Sequence, residues 1–243
     1  MDRQVYDRMR ELQAGHWWFR GRRKIIAGLI EALGLPKNPK ILEVGCGPGG
    51  NLSMLAGFGE VVGLEPDADT RAYANENTGV CVESGQLPAD LPFEPETFDL
   101  VCAFDVIEHV EDDAAAVAAL ARLVRPGGYM ATTVPAQPWM WSRHDELHHH
   151  KRRYRIGTYR WLFETAGLSI VKASFFNTVL FPPIAAVRLV KMATRSSVAD
   201  DDAPPPGPVN RLFEALFGAE LLWLKRAPLP FGVSIVLLAR KPA

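Results

Sequence analysis

Two stretches of the chain concentrate side chains that can move protons. One is the pair Glu108-His109, and the other is the segment SRHDELHHHKRRY at 142–154. A histidine titrates near neutral pH and can act as a general base, and a neighbouring carboxylate such as Asp145 can orient its ring. These residue types therefore predict acid–base chemistry on a substrate. The candidate catalytic residues are Glu108, His109, His144, Asp145 and His150.

Cationic and aromatic side chains indicate an anionic acceptor. The pair Arg152-Arg153 suits a phosphate or a carboxylate. Near the N-terminus, the sequence HWWFRGRR at 16–23 sets aromatic rings among arginines. We interpret it as a lid over the cofactor or an anionic substrate, and the alternative is a helix that only packs on a sheet. The candidate substrate-binding residues are Trp17, Arg20, Arg152, Arg153 and Tyr154.

Metal binding is a competing use of the histidines, because imidazole and carboxylate ligands suit zinc or another divalent ion. However, the histidines at 148–150 are consecutive and cannot all face one point on a regular element. We therefore predict no metal site. A solvated loop of salt bridges is the remaining alternative for this segment.

A third stretch, ILEVGCGPGG at 41–50, predicts a cradle for a nucleotide cofactor. Its first four residues are apolar apart from Glu43, as in a buried parallel strand. The glycines that follow let the backbone turn sharply and approach a ligand, and a helix starting near Gly50 would point its free N–H groups at that ligand. Glu43 needs a polar partner in this apolar strand, and the ammonium group of a cofactor would serve.

The glycine spacing alone leaves two cofactors open. The loop fits G-x-G-x-x-G with Glu65 about 20 residues on, so an NAD(P)-dependent oxidoreductase remains an alternative. The sequence EVGCGPG at 43–49 resembles motif I of the class I S-adenosylmethionine (SAM) dependent methyltransferases. That resemblance implies that Glu43 lies near the methionine part of SAM and that Glu65 binds the ribose hydroxyls. The expected product of the cofactor is S-adenosylhomocysteine.

The same resemblance implies the other cofactor contacts. An acid after the third strand often contacts the adenine amine in this family. This chain has SGQL at 84–87 instead, so Gln86 is a weaker candidate. The fourth strand is predicted over Phe98 to Phe104 and leads into the Glu108-His109 turn. The expected cofactor-binding residues are Glu43, Gly45, Cys46, Gly47, Gly49, Asn51, Glu65, Pro66, Gln86, Leu87, Phe104, Asp105, Val106 and His109.

The elements that must position these residues alternate between strand and helix, which predicts an α/β fold with a Rossmann-like, doubly wound sheet. The resemblance implies seven strands with an antiparallel last strand. Ligands of such sheets bind at the carboxyl ends of the strands. We expect a single domain with an N-terminal helical lid (1–35), a cofactor-binding core (36–176), a helical insertion (177–230) and a closing strand (231–243).

Composition limits the partners. The chain has 243 residues and is 48% hydrophobic, enough for one substantial core. Its 27 Lys+Arg and 28 Asp+Glu give a net charge of -1, which offers no argument for nucleic acid. The cysteines at 46, 81 and 102 fit buried thiols in a reducing cytosol. We expect a cytoplasmic protein, because no signal peptide or membrane span is recognisable.

The insertion carries two apolar helices whose side chains can cover the sheet. Alternatively, they form a membrane-peripheral surface or greasy pocket for a lipid-like acceptor, or the interface of a homodimer. Apolar helices beside a basic loop favour an amphiphile with an anionic group. The basic residues that would meet its headgroup are Lys191, Arg195, Arg211, Lys225 and Arg226.

The stretches at 16–23 and 142–154 also resemble a subgroup of uncharacterised bacterial methyltransferases. The sequence therefore predicts a SAM-dependent methyltransferase that acts on a small-molecule or lipid-linked acceptor, at oxygen. A non-catalytic SAM-binding protein is the further alternative to the oxidoreductase.

Overall fold

A computed structural model describes residues 3–194 and 203–243 of the chain, with nine helices in these ranges. The helices are α1 Arg3–Leu12, α2 Trp17–Glu31, α3 Leu52–Ala56, α4 Ala68–Thr78, α5 Asp113–Leu123, α6 Arg143–Leu147, α7 Ile156–Thr165, α8 Phe181–Thr194 and α9 Gly207–Leu224. The strands are β1 Lys40–Val44, β2 Glu60–Leu64, β3 Cys81–Glu83, β4 Phe98–Phe104, β5 Val124–Pro135, β6 Ser169–Phe176 and β7 Ser234–Arg240. Short 3-10 turns cover Ile107–His109 and Pro138–Met140.

The strands form one seven-stranded sheet in the order β3-β2-β1-β4-β5-β7-β6. Strands β1 to β5 pair in parallel, and β7 runs antiparallel to both β5 and β6. This arrangement confirms the predicted Rossmann-like sheet and its antiparallel last strand. Because the strand order reverses between β1 and β4, their carboxyl ends open a crevice where ligands of such sheets bind.

Helices cover both faces of the sheet. On one face, Val117 of α5 and Phe163 of α7 are fully buried against the strands. On the other face, Ile25 of α2 and Phe217 of α9 are equally buried, and the Phe217 ring stacks on Phe176 with centroids 5.8 Å apart. The insertion therefore supplies part of the core.

The rest of the insertion leaves apolar side chains in solvent. Leu212 and Trp223 of α9 are 54% and 65% exposed, and Val190 of α8 is 61% exposed. Of the basic residues expected to meet the headgroup of an amphiphile, Arg195 and the side chain of Lys191 lie outside the described residues. No helix in the described ranges is long and apolar enough to cross a bilayer.

Several boundaries differ from the sequence-based expectation. The helix after the glycine loop begins at Leu52, two residues later than expected. Strand β5 begins at Val124, so the segment 125–128 lies within an irregular strand. Its bend uses Gly127, whose φ is +79°. Cys81 is exposed, whereas the other two cysteines are buried.

Phe217→Ala should lower the free energy of unfolding by about 3–5 kcal/mol, because it removes a fully buried ring from the core. Trp223→Ala, on the same helix but 65% exposed, should change it by less than about 0.5 kcal/mol. Urea unfolding followed by circular dichroism measures both. Equally small losses would show that α9 is not part of the cooperative core.

Candidate functional site

The glycine loop after β1 needs glycine for steric reasons. Gly45, Gly47 and Gly49 have φ values of +65°, +54° and +88°, a region that side chains with a Cβ rarely adopt. A Cβ on Gly45 would also lie 2.6 Å from Cγ2 of Val106. The loop is therefore pressed against the end of β4, with its backbone facing the crevice.

Glu43 and Asn51 form a buried polar pair beside this loop. Asn51 donates from Nδ2 to Oε1 of Glu43 at 2.7 Å, which leaves Glu43 Oε2 and Asn51 Oδ1 buried without a partner. Burial raises the pKa of Glu43 to about 7, although the hydrogen bond from Asn51 opposes this rise. Two acceptor atoms without donors fit the ammonium group of the methionine part of SAM.

Glu65 is fixed at the end of β2 by three donors. Its Oε1 accepts from the Tyr6 hydroxyl and the Asp67 backbone N–H, and its Oε2 accepts from the Gly47 N–H, all at 3.0 Å. Burial raises the pKa of Glu65, and the hydrogen bonds counteract it. The carboxylate thus stands next to the glycine loop, where the resemblance expects the ribose.

Helix α1 lies over the cradle, which sequence reasoning did not foresee in these residues. Tyr6 contacts Glu65, and Gln13, just after the helix, donates to the carbonyl of Pro48 at 3.4 Å. A Cβ on Gly50 would lie 2.5 Å from the side-chain oxygen of Gln13. A Cβ on Gly47 would lie 3.5 Å from Cε of Met9, at van der Waals distance. Positions 6, 9 and 13 share one face of a helix, so periodicity is the signal that could have found them.

The other expected cofactor residues are distributed along the ends of the strands. Cys46, Leu87 and Phe104 are buried, whereas Pro66 and Gln86 are exposed. The backbone of Gln86 pairs with Asp90. These positions border the crevice from β1 to β4.

Arg22 reaches the crevice, whereas Trp17 and Arg20, the substrate-binding candidates from the same segment, do not. Its buried guanidinium pairs with Asp105 and lies over the Trp18 ring, 4.3 Å from the centroid. Trp17 instead packs edge-on against the rings of α9, and Arg20 pairs with Glu214 of α9 at 2.9 Å. The helical spacing of Trp18 and Arg22, four residues apart, is the signal for this contact.

The structure brings Glu108, His109 and His150 together. The backbone N–H of Lys151 donates to the carbonyl of Glu108 at 2.8 Å and so joins two segments that are distant in sequence. The rings of His109 and His150 lie 4.8 Å apart. Glu108 is fully buried and neither of its carboxyl oxygens has a partner. Burial, followed by the charge of Asp105, raises the pKa of Glu108 well above its ordinary value.

Asp145 orients His150, as the sequence suggested for one of the histidines. Its Oδ1 lies 2.9 Å from Nδ1 of His150 and accepts from Nε of Arg153 at 2.7 Å, while Oδ2 accepts from the Ser142 N–H. Although burial opposes ionisation, the hydrogen bond from His150 and the charge of Arg153 hold the pKa of Asp145 below its usual range. His144 stacks near His148, with centroids 4.3 Å apart.

The donors expected to bind an anionic substrate have partners within the protein. Arg152 pairs with Asp113 at 3.0 Å, and the Tyr154 hydroxyl donates to the same carboxylate at 2.8 Å. The buried Arg153 donates to Asp145 and to the carbonyl of Ala136. These contacts brace the segment 142–154 against α5 and the end of β5, and substrate binding by the three residues stays a prediction.

Comparisons with known proteins point to one family. A profile described as "Methyltransferase domain" matches residues 17–173. The chain is 30% identical over 159 residues to a protein of Mycolicibacterium smegmatis named "Probable S-adenosylmethionine-dependent methyltransferase", covering 64% of this chain and 60% of the relative. It is 39% identical over 98 residues to the ubiquinone biosynthesis O-methyltransferase of Aliivibrio fischeri, covering 37% of this chain and 42% of that protein. The chain thus spans less than two thirds of these relatives.

A solved structure agrees on the fold. The phosphoethanolamine N-methyltransferase 2 of Haemonchus contortus, in complex with SAM, is similar with a TM-score of 0.59 and 16% identity. The similarity covers 88% of this chain and 51% of that chain. At this identity it concerns the fold alone.

Glu43→Gln should remove a pH-dependent part of the stability of the cofactor-free protein. A carboxyl whose pKa rises from 4.5 to about 7 on folding stabilises the protein fully below pH 4.5, and this contribution is lost as the pH rises through 7. Between pH 5 and pH 8 the wild type should therefore lose about 2–3 kcal/mol relative to the variant.

Urea unfolding at the two pH values measures this difference. Glu76→Gln, at an exposed position of α4, is the matched control and should follow the wild type. Parallel pH profiles for the wild type and Glu43→Gln would contradict the burial argument.

Proposed function

Because this chain belongs to the class I SAM-dependent methyltransferases, we propose that it transfers the methyl group of SAM to an oxygen atom of a small-molecule or lipid-linked acceptor. Bound SAM supplies an electrophilic methyl group. The protein's own residues must therefore hold the cofactor, place the acceptor and take up its proton. The observation that carries the proposal is the pair of unpartnered acceptor atoms on Glu43 and Asn51 beside the glycine loop.

The cradle would hold the two ends of the cofactor through separate carboxylates. Glu43 Oε2 and Asn51 Oδ1 would accept from the ammonium group, and Glu65 would accept from the ribose hydroxyls. An ionised Glu43 complements a cationic group, so the ammonium favours the charged form of this carboxyl. The cradle therefore selects a cofactor with a positive amino acid end, which a nicotinamide dinucleotide lacks.

His150 is suited to take the proton of an acceptor hydroxyl. Asp145 is held as a carboxylate and can only accept, so the hydrogen shared between them belongs to Nδ1 of His150. In the neutral ring the other nitrogen, Nε2, carries the lone pair and can act as a base. An acceptor hydroxyl must lose its proton to be methylated, whereas the protein needs no such base to bind SAM.

The acceptor class is supported by two further observations. The Aliivibrio fischeri relative is named an O-methyltransferase, which favours oxygen. Helix α9 exposes an apolar stripe at the helical spacing of Val209, Leu212, Leu216 and Trp223. Such a stripe suits the apolar part of an amphiphilic acceptor or the membrane that contains it.

Calorimetric titration with SAM, S-adenosylhomocysteine and NADH tests the cofactor. We expect binding of the two sulfur compounds and none of NADH. Glu65→Gln should weaken SAM binding by about tenfold or more, since it removes a charged hydrogen-bond acceptor. The exposed Glu76→Gln serves as the control and should bind like the wild type. Binding of NADH alone would overturn the proposal in favour of an oxidoreductase.

Methyl transfer from radiolabelled SAM to phenols, quinols and lipid-linked sugars tests the acceptor. Asp145→Asn should lower kcat by about 10²–10⁴-fold while SAM affinity stays unchanged, because the base loses its orientation but the cradle is intact. Asp90→Asn, at an exposed position, is the control. SAM binding without transfer to any of these acceptors would favour a non-catalytic binding protein, and unchanged kcat in Asp145→Asn would remove His150 from the reaction.

A further inference from the structure

A cavity of about 290 Å³ opens at the carboxyl edge of the sheet, beside the end of β5. Its wall contains Gln137 and Trp139, which follow β5, together with Arg155, which precedes α7, and Phe175 of β6. No acidic side chain of the described ranges lines it, so the charge of its wall comes from Arg155. Aromatic rings beside one cation suit a ligand that joins a flat or apolar body to an anionic group.

Arg155 differs from the basic residues just before it in having no acidic partner. Lys151, Arg152 and Arg153 each pair with a carboxylate at distances between 2.7 and 3.3 Å. Within the described ranges, no carboxylate pairs with the exposed guanidinium of Arg155. A guanidinium can bind a carboxylate or a phosphate through two parallel hydrogen bonds. Of the four cations at 151–155, Arg155 is therefore the one available to a ligand.

The backbone fixes Arg155 next to the end of β5. Ala136 and Tyr154 form a parallel bridge, beside which the Gln137 N–H donates to the carbonyl of Tyr154 at 3.0 Å. The chain is still extended at Arg155, where φ is -91° and ψ is 141°. Side chains two residues apart in an extended segment lie on the same side. Arg155 is therefore on the side of the segment from which Arg153 projects.

Arg153 connects this side of the segment to the proposed base. Its Nε donates to Asp145 at 2.7 Å, and Asp145 in turn orients His150 at 2.9 Å. Its Nη1 donates to the carbonyl of Ala136 at 3.0 Å, one residue before Gln137 and the wall of the cavity. The cavity and His150 are thus held by the same buried arginine.

The aromatic wall of the cavity is held in place by Gln137. This residue has a φ of +62°, a backbone conformation that side chains with a Cβ rarely adopt and that occurs preferentially at ligand sites. Its Oε1 accepts from the indole Nε1 of Trp139 at 3.3 Å. The Trp139 ring also packs edge-on against Phe181, with centroids 6.1 Å apart. The indole is therefore oriented at the cavity although Trp139 is 47% exposed.

We propose that this cavity binds the anionic group of the acceptor, a carboxylate or a phosphate, through Arg155, with the flat or apolar part of the acceptor against Trp139. As an acceptor site, the cavity rests on the proposed function, under which the bound anion directs the acceptor hydroxyl toward His150. Arg155 then has the role that the sequence suggested for Arg152 and Arg153, which are paired within the protein. Anion binding itself requires neither SAM nor methyl transfer.

Calorimetry on the SAM-free protein with charged and neutral phenyl compounds tests the anion site. The charged probes are 4-hydroxybenzoate and phenyl phosphate, which separate a carboxylate from a phosphate. Their neutral counterparts are methyl 4-hydroxybenzoate and phenol. We expect at least one anion to bind about tenfold or more tightly than its counterpart, since a charged hydrogen-bonded pair is formed. Arg155→Gln should abolish this preference, and added salt should weaken it.

Arg160→Gln is the matched control, because Arg160 is exposed on the same helix but pairs with Glu164. It should keep the preference for the anion. Trp139→Ala should weaken the charged and the neutral probes alike, by about 2–10-fold, since it removes the aromatic wall but no charge.

Two outcomes would overturn the proposal: a wild type that binds neither anion better than its neutral counterpart, and a preference that survives in Arg155→Gln. A preference lost in Arg152→Gln and kept in Arg155→Gln would overturn it in favour of Arg152. The SAM titration is read separately and should be unchanged in every variant. A failure of the cofactor part of the proposed function is thus distinguishable from a failure of the anion site.

Discussion

Burial of carboxyl groups at one edge of the sheet is the constraint on which the site depends. Four of them are at most 3% exposed, namely Glu43, Glu65, Glu108 and Asp145. A buried carboxyl is tolerated only where donors or cations reach it. Asn51 donates to the first, backbone N–H groups and Tyr6 to the second, and His150 and Arg153 to the last. Glu108 is the one of the four with no hydrogen-bond donor on either oxygen.

The parts that depend on local patterns can be predicted from the sequence. The alternation of apolar strands and helices indicates the doubly wound sheet, and the glycine loop requires φ values that other residues avoid. The pairing of Glu43 with a polar neighbour follows from the cost of burying an acid in an apolar strand. The antiparallel last strand came from the family resemblance, since periodicity carries no information on strand direction.

The parts of the site that depend on contacts between distant segments cannot be predicted from local sequence patterns. A backbone hydrogen bond from Lys151 to Glu108 joins the segment of His150 to that of His109. The spacing of residues in the sequence does not predict this contact. For this reason the run of histidines at 148–150 did not indicate that His150 lies beside Glu108 and His109. The sequence does not show a partner for Arg152 or Tyr154, but in the structure both contact the carboxylate of Asp113. Charge type alone therefore does not separate a substrate-binding residue from a structural one.

Under the proposed function, the hydrogen bond between Tyr6 and Glu65 would couple the position of α1 to occupancy of the cradle. Oε1 of Glu65 already accepts from Tyr6 and from the Asp67 N–H, which uses both of its lone pairs. A ribose hydroxyl that donated to this oxygen would displace the Tyr6 hydroxyl or the Asp67 N–H, whereas Oε2 accepts from the Gly47 N–H alone. If the displaced group is the Tyr6 hydroxyl, thermodynamic reciprocity requires this contact to weaken cofactor binding, and bound ribose to weaken the contact, by the same free energy. In that case α1 and the cofactor would compete for one acceptor atom, and a stronger contact of either would weaken the other.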